Sequence, residues 1–437
     1  MKDRNSLGWQ DDDRARAAAD AAPGMSAPRR LATNPERILV GLLCPIGDTL
    51  FATPALAALR RRFPNAHITA LVSRSNTGIL DGNPALDARI ICDEGREESG
   101  LVGVMRHAGA IKRSQYDLMV NISPSTSFIG YLARVPDRMN LTFPRHWWLM
   151  GGHHTPYRSQ HAAEHYLDLI RPLLGDDLTA EERQPRIYLA ASHRTAARRL
   201  LREAGLTPAN PLVTMHVGAD GFRGRKRWST ARFARVGTAL VRRFGMHVLL
   251  VGGPGDRELG EAVVAAMRGG VTNLAGRTSL METAALIERS TLFIGNDSCP
   301  LHIAAAVGTP AVGIYGPSNV EQFRPLGGPR HRQRVVQSNL PCSPCYHFVG
   351  TDAPWVPNLC HSYACLKAIN ADDVIAAAAS LLRGEEAPPE APARPPLRAR
   401  HRDQRDRDEQ LALAYAGMAP QRLEDRHPEL ALRLNFY

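Results

Sequence analysis

Through the middle of the chain, short runs of apolar and β-branched residues alternate with stretches in which apolar residues return every three or four positions. "RILVGLL" (Arg37 to Leu43) is the first such run, and after the loop "CPIGD" the residues Ala52, Leu56, Leu59 and Phe63 fall at helical spacing. "HITALVS" and "YDLMVNIS" repeat the strand signal. The alternation restarts at "LVTMHVG" (Leu212 to Gly218). A helix from about Thr230 to Phe244 follows, then the strand of "HVLLVGGPG", another helix, "LFIGND" and "PAVGIYG". Strands alternating with helices predict an α/β chain whose parallel sheets are covered on both faces, here built twice. Two doubly wound domains facing each other leave a cleft at the carboxyl ends of their strands, and chemistry is expected there.

A chain of 437 residues, 44% of them hydrophobic, exceeds what one ordinary core organises. The expected division is a mobile, polar extension over 1–36, a first domain over 37–205 and a second over 206–383. A Pro- and Arg-rich charged linker over 384–410 and an accessory segment over 411–437 complete it, the latter either packing on the body or lying on a membrane surface. No apolar run approaches the roughly 20 residues needed to cross a bilayer, and the N-terminus lacks the apolar core of a secretory signal. The expected location is therefore cytoplasmic. Seven cysteines, an odd number, do not suit a secreted disulfide framework. A net charge of +11 favours anionic partners: nucleotide phosphates, acidic lipid head groups or nucleic acid. A nucleic-acid binder is the weaker reading, because no basic strand carries interleaved aromatics and no helix-turn-helix signal is present.

Candidate chemistry gathers where strands give way to helices. In "GNDSCPLHIAAAVGTPAVGIYGPS", Asp297 and Ser298 are N-cap types, Pro300 suits the first helical position and Gly308 suits the C-terminal cap. The unpaired N–H groups and the positive dipole end of such a helix attract phosphate, and His302, one turn in, adds a donor. The bland alternative is a capped structural helix in which Asp297 only caps and His302 only packs. In "HVGADGFRGRKRWSTARFA" a strand ends at His216, and Lys226 stands in a basic loop before the next helix. An ammonium there can neutralise a pyrophosphate, although a solvated loop explains the charge as well. "LLVGGPGDRE" closes a strand with a turn around Gly253, where Asp256 and Glu258 can accept hydrogen bonds from a ribose. Ser279 and Glu282 stand at capping-box spacing.

Taken in order, "GDTLFATPALAALRRRFPNAHITALVS", "HVGADGFRGRKRWSTARFA", "VGGPGDRE", "NLAGRTSL", "GNDSCPLHIAAAVGTPAVGIYGPS" and "RPLG" resemble the bacterial heptosyltransferase-like glycosyltransferases of family nine, over about Arg37 to Leu382. The resemblance implies the GT-B architecture, two Rossmann-like domains with the acceptor bound by the first and the nucleotide-sugar donor by the second. It implies metal-independent, inverting transfer, here of a heptose from ADP-heptose to a lipopolysaccharide-core or related acceptor, lipid-linked or oligosaccharide. No cofactor is required, contact with the inner membrane is peripheral, and nucleic acid is not a partner. The family's Gly-Asp motif falls on Gly47 and Asp48, whose carboxylate is then the general base, a role that fits inversion, which needs a base opposite the leaving phosphate. Lys226, with Asp297, Ser298 and His302, is implied to hold the diphosphate, and His216, Gly253 and Glu258 complete the donor site. Another nucleotide-sugar GT-B enzyme, with a different donor or of epimerase type, is the alternative.

This chain departs from the pattern at Cys299, where the family usually has Gly, and in the long basic loop from Ala219 to Arg225. Cys342, Cys345, Cys360 and Cys365 form C-x2-C followed by C-x4-C. Their spacing allows a structural zinc, unligated thiols packing a loop, or disulfides.

Overall fold

The computed structural model describes residues 34–92, 101–142, 153–156, 160–174, 177–219, 225–327, 332–338, 340, 343–344 and 363–385. Most of the N-terminal extension, most of the linker and the accessory segment expected from the sequence lie outside these residues. The first half supplies β1 (Arg37–Leu42), β2 (His67–Ser73), β3 (Ala88–Cys92), β4 (Leu118–Asn121), β5 (Asp137–Thr142) and β6 (His153–Pro156). They form one six-stranded sheet in the order β3-β2-β1-β4-β5-β6, parallel at every pairing. The second half supplies β7 (Leu212–His216), β8 (His247–Val251), β9 (Val271–Asn273), β10 (Leu292–Asn296), β11 (Ala311–Tyr315) and β12 (Gln333–Gln337). Its sheet, in the order β12-β11-β10-β7-β8-β9, repeats the same winding, again all parallel.

In both sheets the chain starts in the middle, winds outward in one direction, then returns and winds outward in the other. The reversal lies between β1 and β4 and between β7 and β10. Loops leaving adjacent strands there run to opposite faces, which opens a crevice at the carboxyl ends of the strands. The central strands are buried on both faces, as their mostly apolar sequences require.

The helix expected over Thr230–Phe244 is observed with those bounds and ends on the left-handed Gly245. Ser279 and Glu282 form the reciprocal capping box at the start of the helix Leu280–Arg289. The helix Ala191–Glu203 packs Ala197, Leu200 and Leu201 against Leu212, Leu249, Ala285 and Leu286, so its apolar face is completed by the second half. The two halves are also not separate cores. Leu50 and Phe51 of the first share one apolar cluster with Leu301, Ile303 and Phe323 of the second, so the cleft closes over a continuous hydrophobic floor.

Candidate active site

Asp48 lies six residues beyond the end of β1, in the short helix Ile46–Phe51. That helix is capped by Pro45 without a side-chain hydrogen bond. The Asp48 carboxylate instead accepts a hydrogen bond at Oδ1 from the Tyr166 hydroxyl, at 2.8 Å. Desolvation raises its pKa to about 6, while the Tyr166 hydrogen bond and the charge of Lys226 pull downward and Asp297 pushes upward. Gly47 places backbone where a side chain would meet His302: a Cβ there would sit 3.5 Å from the imidazole Cδ2 and 4.0 Å from Cys299 Cα. The Gly-Asp motif of the first half therefore faces the start of the helix Cys299–Ala306 in the second.

On the other side of the cleft, Lys226 Nζ donates to Oδ2 of Asp297 at 2.6 Å, and the ammonium lies 5.2 Å from the Phe323 ring centroid. Asp297 is buried, which by itself would raise its pKa. The charge of Lys226 and the hydrogen bond it donates outweigh that and hold it below the usual carboxylate range. His302 Nε2 is 3.7 Å from Asp297 Oδ1, and its ring packs on Phe51 with centroids 4.6 Å apart. Burial lowers the His302 pKa to about 4 against the pull of Asp297, so the imidazole is neutral at physiological pH.

The cap positions of the helix Cys299–Ala306 are occupied as expected, but not used as caps. Ser298 is the N-cap residue and makes no side-chain capping bond; its Oγ lies 2.9 Å from His216 Nδ1 and 3.2 Å from the Asn296 carbonyl oxygen. Asp297 is engaged by Lys226. In that first turn Pro300 carries no N–H and the Leu301 N–H donates to the Ser298 carbonyl at 3.0 Å, and no side chain caps the helix. Gly308, with φ 81°, follows the last turn in the left-handed conformation expected of it.

His216 is the link to the second glycine turn. Its Nε2 lies 3.3 Å from Asp256 Oδ2, an oxygen that also accepts from the Gly253 N–H at 3.0 Å. Gly218 has to be glycine, since a Cβ there would stand 1.9 Å from Asp256 Oδ1. Of the two acids in "GDRE", Asp256 is buried and committed to this network, whereas Glu258 is exposed on the first turn of the helix Arg257–Met267.

The structure thus brings Gly47, Asp48, Lys226, Asp297, Ser298 and His302 together, with His216 joined through Ser298. Gly253 is exposed and contributes its backbone N–H to Asp256. Cys342, Cys345 and Cys360 lie outside the described residues. Cys365 is buried in the apolar core of the second half. Among the described residues no group of three or more His, Cys, Asp or Glu is arranged to hold a metal ion. The part of Ala219 to Arg225 that distinguishes the basic loop is likewise largely outside the described residues.

Two residues escaped the sequence reading. Asn296, fully buried at the end of β10, accepts from the Trp228 N–H at 3.0 Å. It donates to the Gly218 carbonyl at 2.9 Å, tying the Lys226 loop to β10. Tyr166 reads in sequence as one more apolar position of an amphipathic helix, and nothing local ties it to a residue 118 positions away.

The sequence model of glycosyltransferase family 9 (heptosyltransferase) matches residues 104–355. The chain belongs to glycosyltransferase family 9. As a family 9 glycosyltransferase it is 29% identical over 358 residues to lipopolysaccharide heptosyltransferase 3 of Escherichia coli K12, covering 78% of this chain and 96% of that one. It is 26% identical over 313 residues to lipooligosaccharide heptosyltransferase 2 of Haemophilus influenzae, covering 68% and 87%. Its fold is similar to that of the family 9 glycosyltransferase of Veillonella parvula, with TM-score 0.69 and 26% identity over 82% of this chain and 99% of that one. It also matches E. coli ADP-heptose lipopolysaccharide heptosyltransferase II, with TM-score 0.63 and 23% identity over 80% and 100%. The two facing parallel sheets are accordingly the GT-B architecture.

Proposed function

We propose that this glycosyltransferase moves a heptose from ADP-heptose to a lipopolysaccharide-core acceptor, with inversion at the anomeric carbon. The observation that carries the reading is a carboxylate tuned to titrate near neutrality, Asp48, set across the cleft from the Lys226–Asp297–His302 group and an uncapped helix start. Asp48 takes the proton of the acceptor hydroxyl as that oxygen bonds to the anomeric carbon. The bond from that carbon to the phosphate oxygen breaks, and the nucleoside diphosphate leaves with the electron pair. Lys226 and the N–H groups of the helix Cys299–Ala306 offset its developing charge, the work that a divalent cation does in other transferases. Transfer is on this reading insensitive to chelators.

The heptose donor and the lipopolysaccharide acceptor are supported by the names of the relatives, heptosyltransferases 2 and 3 of Escherichia coli, Haemophilus influenzae and Salmonella typhimurium. Among the described residues no helix is long and apolar enough to cross a membrane. We place the enzyme in the cytoplasm, meeting its lipid-linked acceptor at the inner-membrane surface. The test is mass spectrometry of the product formed on heptose-deficient lipopolysaccharide with a panel of nucleotide sugars. A mass gain of one heptose with ADP-heptose alone is expected; transfer from a different nucleotide sugar overturns the donor.

A further inference from the structure

The hydroxyl of Tyr166 reaches Asp48 from the helix Ala162–Ile170, which packs beside the helices Ile46–Phe51 and Thr53–Arg62. The tyrosine is 1% exposed, and its ring lies in the core that runs under the cleft. A buried phenol needs a partner, and this one has Oδ1 of Asp48 at 2.8 Å. Among the described residues the Asp48 carboxylate has no other hydrogen bond. It does not cap its own helix, and Oδ2 carries no donor.

We propose that Tyr166 is a positioning residue for sugar transfer, fixing Asp48 through Oδ1 so that Oδ2 is the oxygen that receives the acceptor's proton. This rests on the reading of Asp48 as the base. A carboxylate held at one oxygen by a rigid, buried donor loses its free rotation and presents the other oxygen in one geometry, which favours proton transfer along a defined line. The same bond favours the ionised carboxylate. Burial alone would push Asp48 still higher, and Tyr166 is the largest of the influences that bring it back. The phenol thus both aims the base and keeps it charged at neutral pH.

The experiment compares wild type, Tyr166→Phe and Asp48→Asn in turnover across pH, with ADP affinity and melting temperature measured on each. Tyr166→Phe keeps the ring and its packing and removes only the donor. Its kcat/KM on the acid side is expected to fall off about one pH unit higher than wild type, because the ionised carboxylate has lost its hydrogen bond. Plateau kcat is expected to drop about tenfold as aim is lost, with ADP affinity unchanged. Site-specific 3-fluorotyrosine at 166, a stronger donor of nearly the same shape, should move the acid limb the opposite way, so a loss of packing cannot mimic the result. An acid limb that stays at the wild-type position in both variants, whatever happens to kcat, overturns the positioning role while Asp48→Asn remains inactive. Wild-type turnover in Asp48→Asn removes the base itself, and the inference with it.

Discussion

Lys226 Nζ lies 2.6 Å from Oδ2 of Asp297, joining the loop after β7 to the loop after β10 across 71 positions of sequence. Both side chains are largely shielded, at 13% and 3% exposure. Removing one partner leaves the other charge desolvated and unpaired. Lys226→Ala is therefore expected to cost about 3 kcal/mol of folding stability in denaturant titrations, and to weaken ADP binding at least about tenfold by calorimetry. ADP binding at wild-type affinity would place the diphosphate elsewhere.

Asp48→Asn preserves the volume of the side chain and an oxygen for Tyr166, but cannot take a proton. Turnover is expected to fall by about 10²- to 10⁴-fold, with ADP affinity close to wild type. Steady-state kinetics and calorimetry on the same preparation check both halves.

The pH profile follows from the same carboxylate. Its pKa of about 6 places the acid limb of kcat/KM near pH 6, and activity falls below it as the base is protonated. His302, at about 4, stays neutral through that range and adds nothing to the limb. For stability the sign is opposite to that of an ordinary ion-paired aspartate. A folded pKa raised above the ordinary aspartate value of 3.8 means that ionising Asp48 costs stability, progressively from about pH 4 upward through about pH 6. Asp48→Asn should accordingly be more stable than wild type at pH 8, by on the order of 2 kcal/mol, and gain little at pH 4. Asp297, with its pKa lowered, behaves the other way: its contribution is present at neutral pH and lost on acidification. Melting curves at both pH values for wild type and Asp48→Asn test the difference.

Cys299 occupies the first helical turn beside Asp48, only partly buried, with its thiol pushed up to about 12 by burial and then by the Asp48 charge. It is expected to alkylate slowly at pH 8 for a cysteine of its exposure, since the thiolate is the reactive form. Cys299→Gly opens the backbone to a phosphate without removing a charge. ADP affinity should be kept or improved, at a stability cost on the order of 1 kcal/mol for glycine in a helix.

Gly218→Ala tests the network behind the site. The added Cβ would stand 1.9 Å from Asp256 Oδ1, so the carboxylate has to leave His216 and the Gly253 N–H. A loss of about 2 kcal/mol is expected, with weaker ADP binding as His216 and Ser298 are released.

Much of this was written in local pattern. The alternation of apolar runs and helical spacing identified both parallel sheets, because a strand covered on two faces must be apolar throughout and its crossover helix must be amphipathic. The ordered motifs identified the family, and Gly308, the Ser279–Glu282 box and the helix Thr230–Phe244 follow from chemistry that acts within a few residues. What tertiary structure alone decided are relationships between strand ends far apart in the chain. The sequence offered Asp297 and Ser298 as caps, and the fold instead gave one to Lys226 and the other to His216. It offered two acids in "GDRE", and burial selected Asp256 for the network and left Glu258 in solvent. It gave no reason to single out Tyr166, and only packing of its helix beside the first βα turn set the phenol on Asp48. Local propensity is fixed by neighbours in sequence, whereas desolvation, ion pairing and the direction of a buried hydroxyl depend on which surfaces the fold presses together.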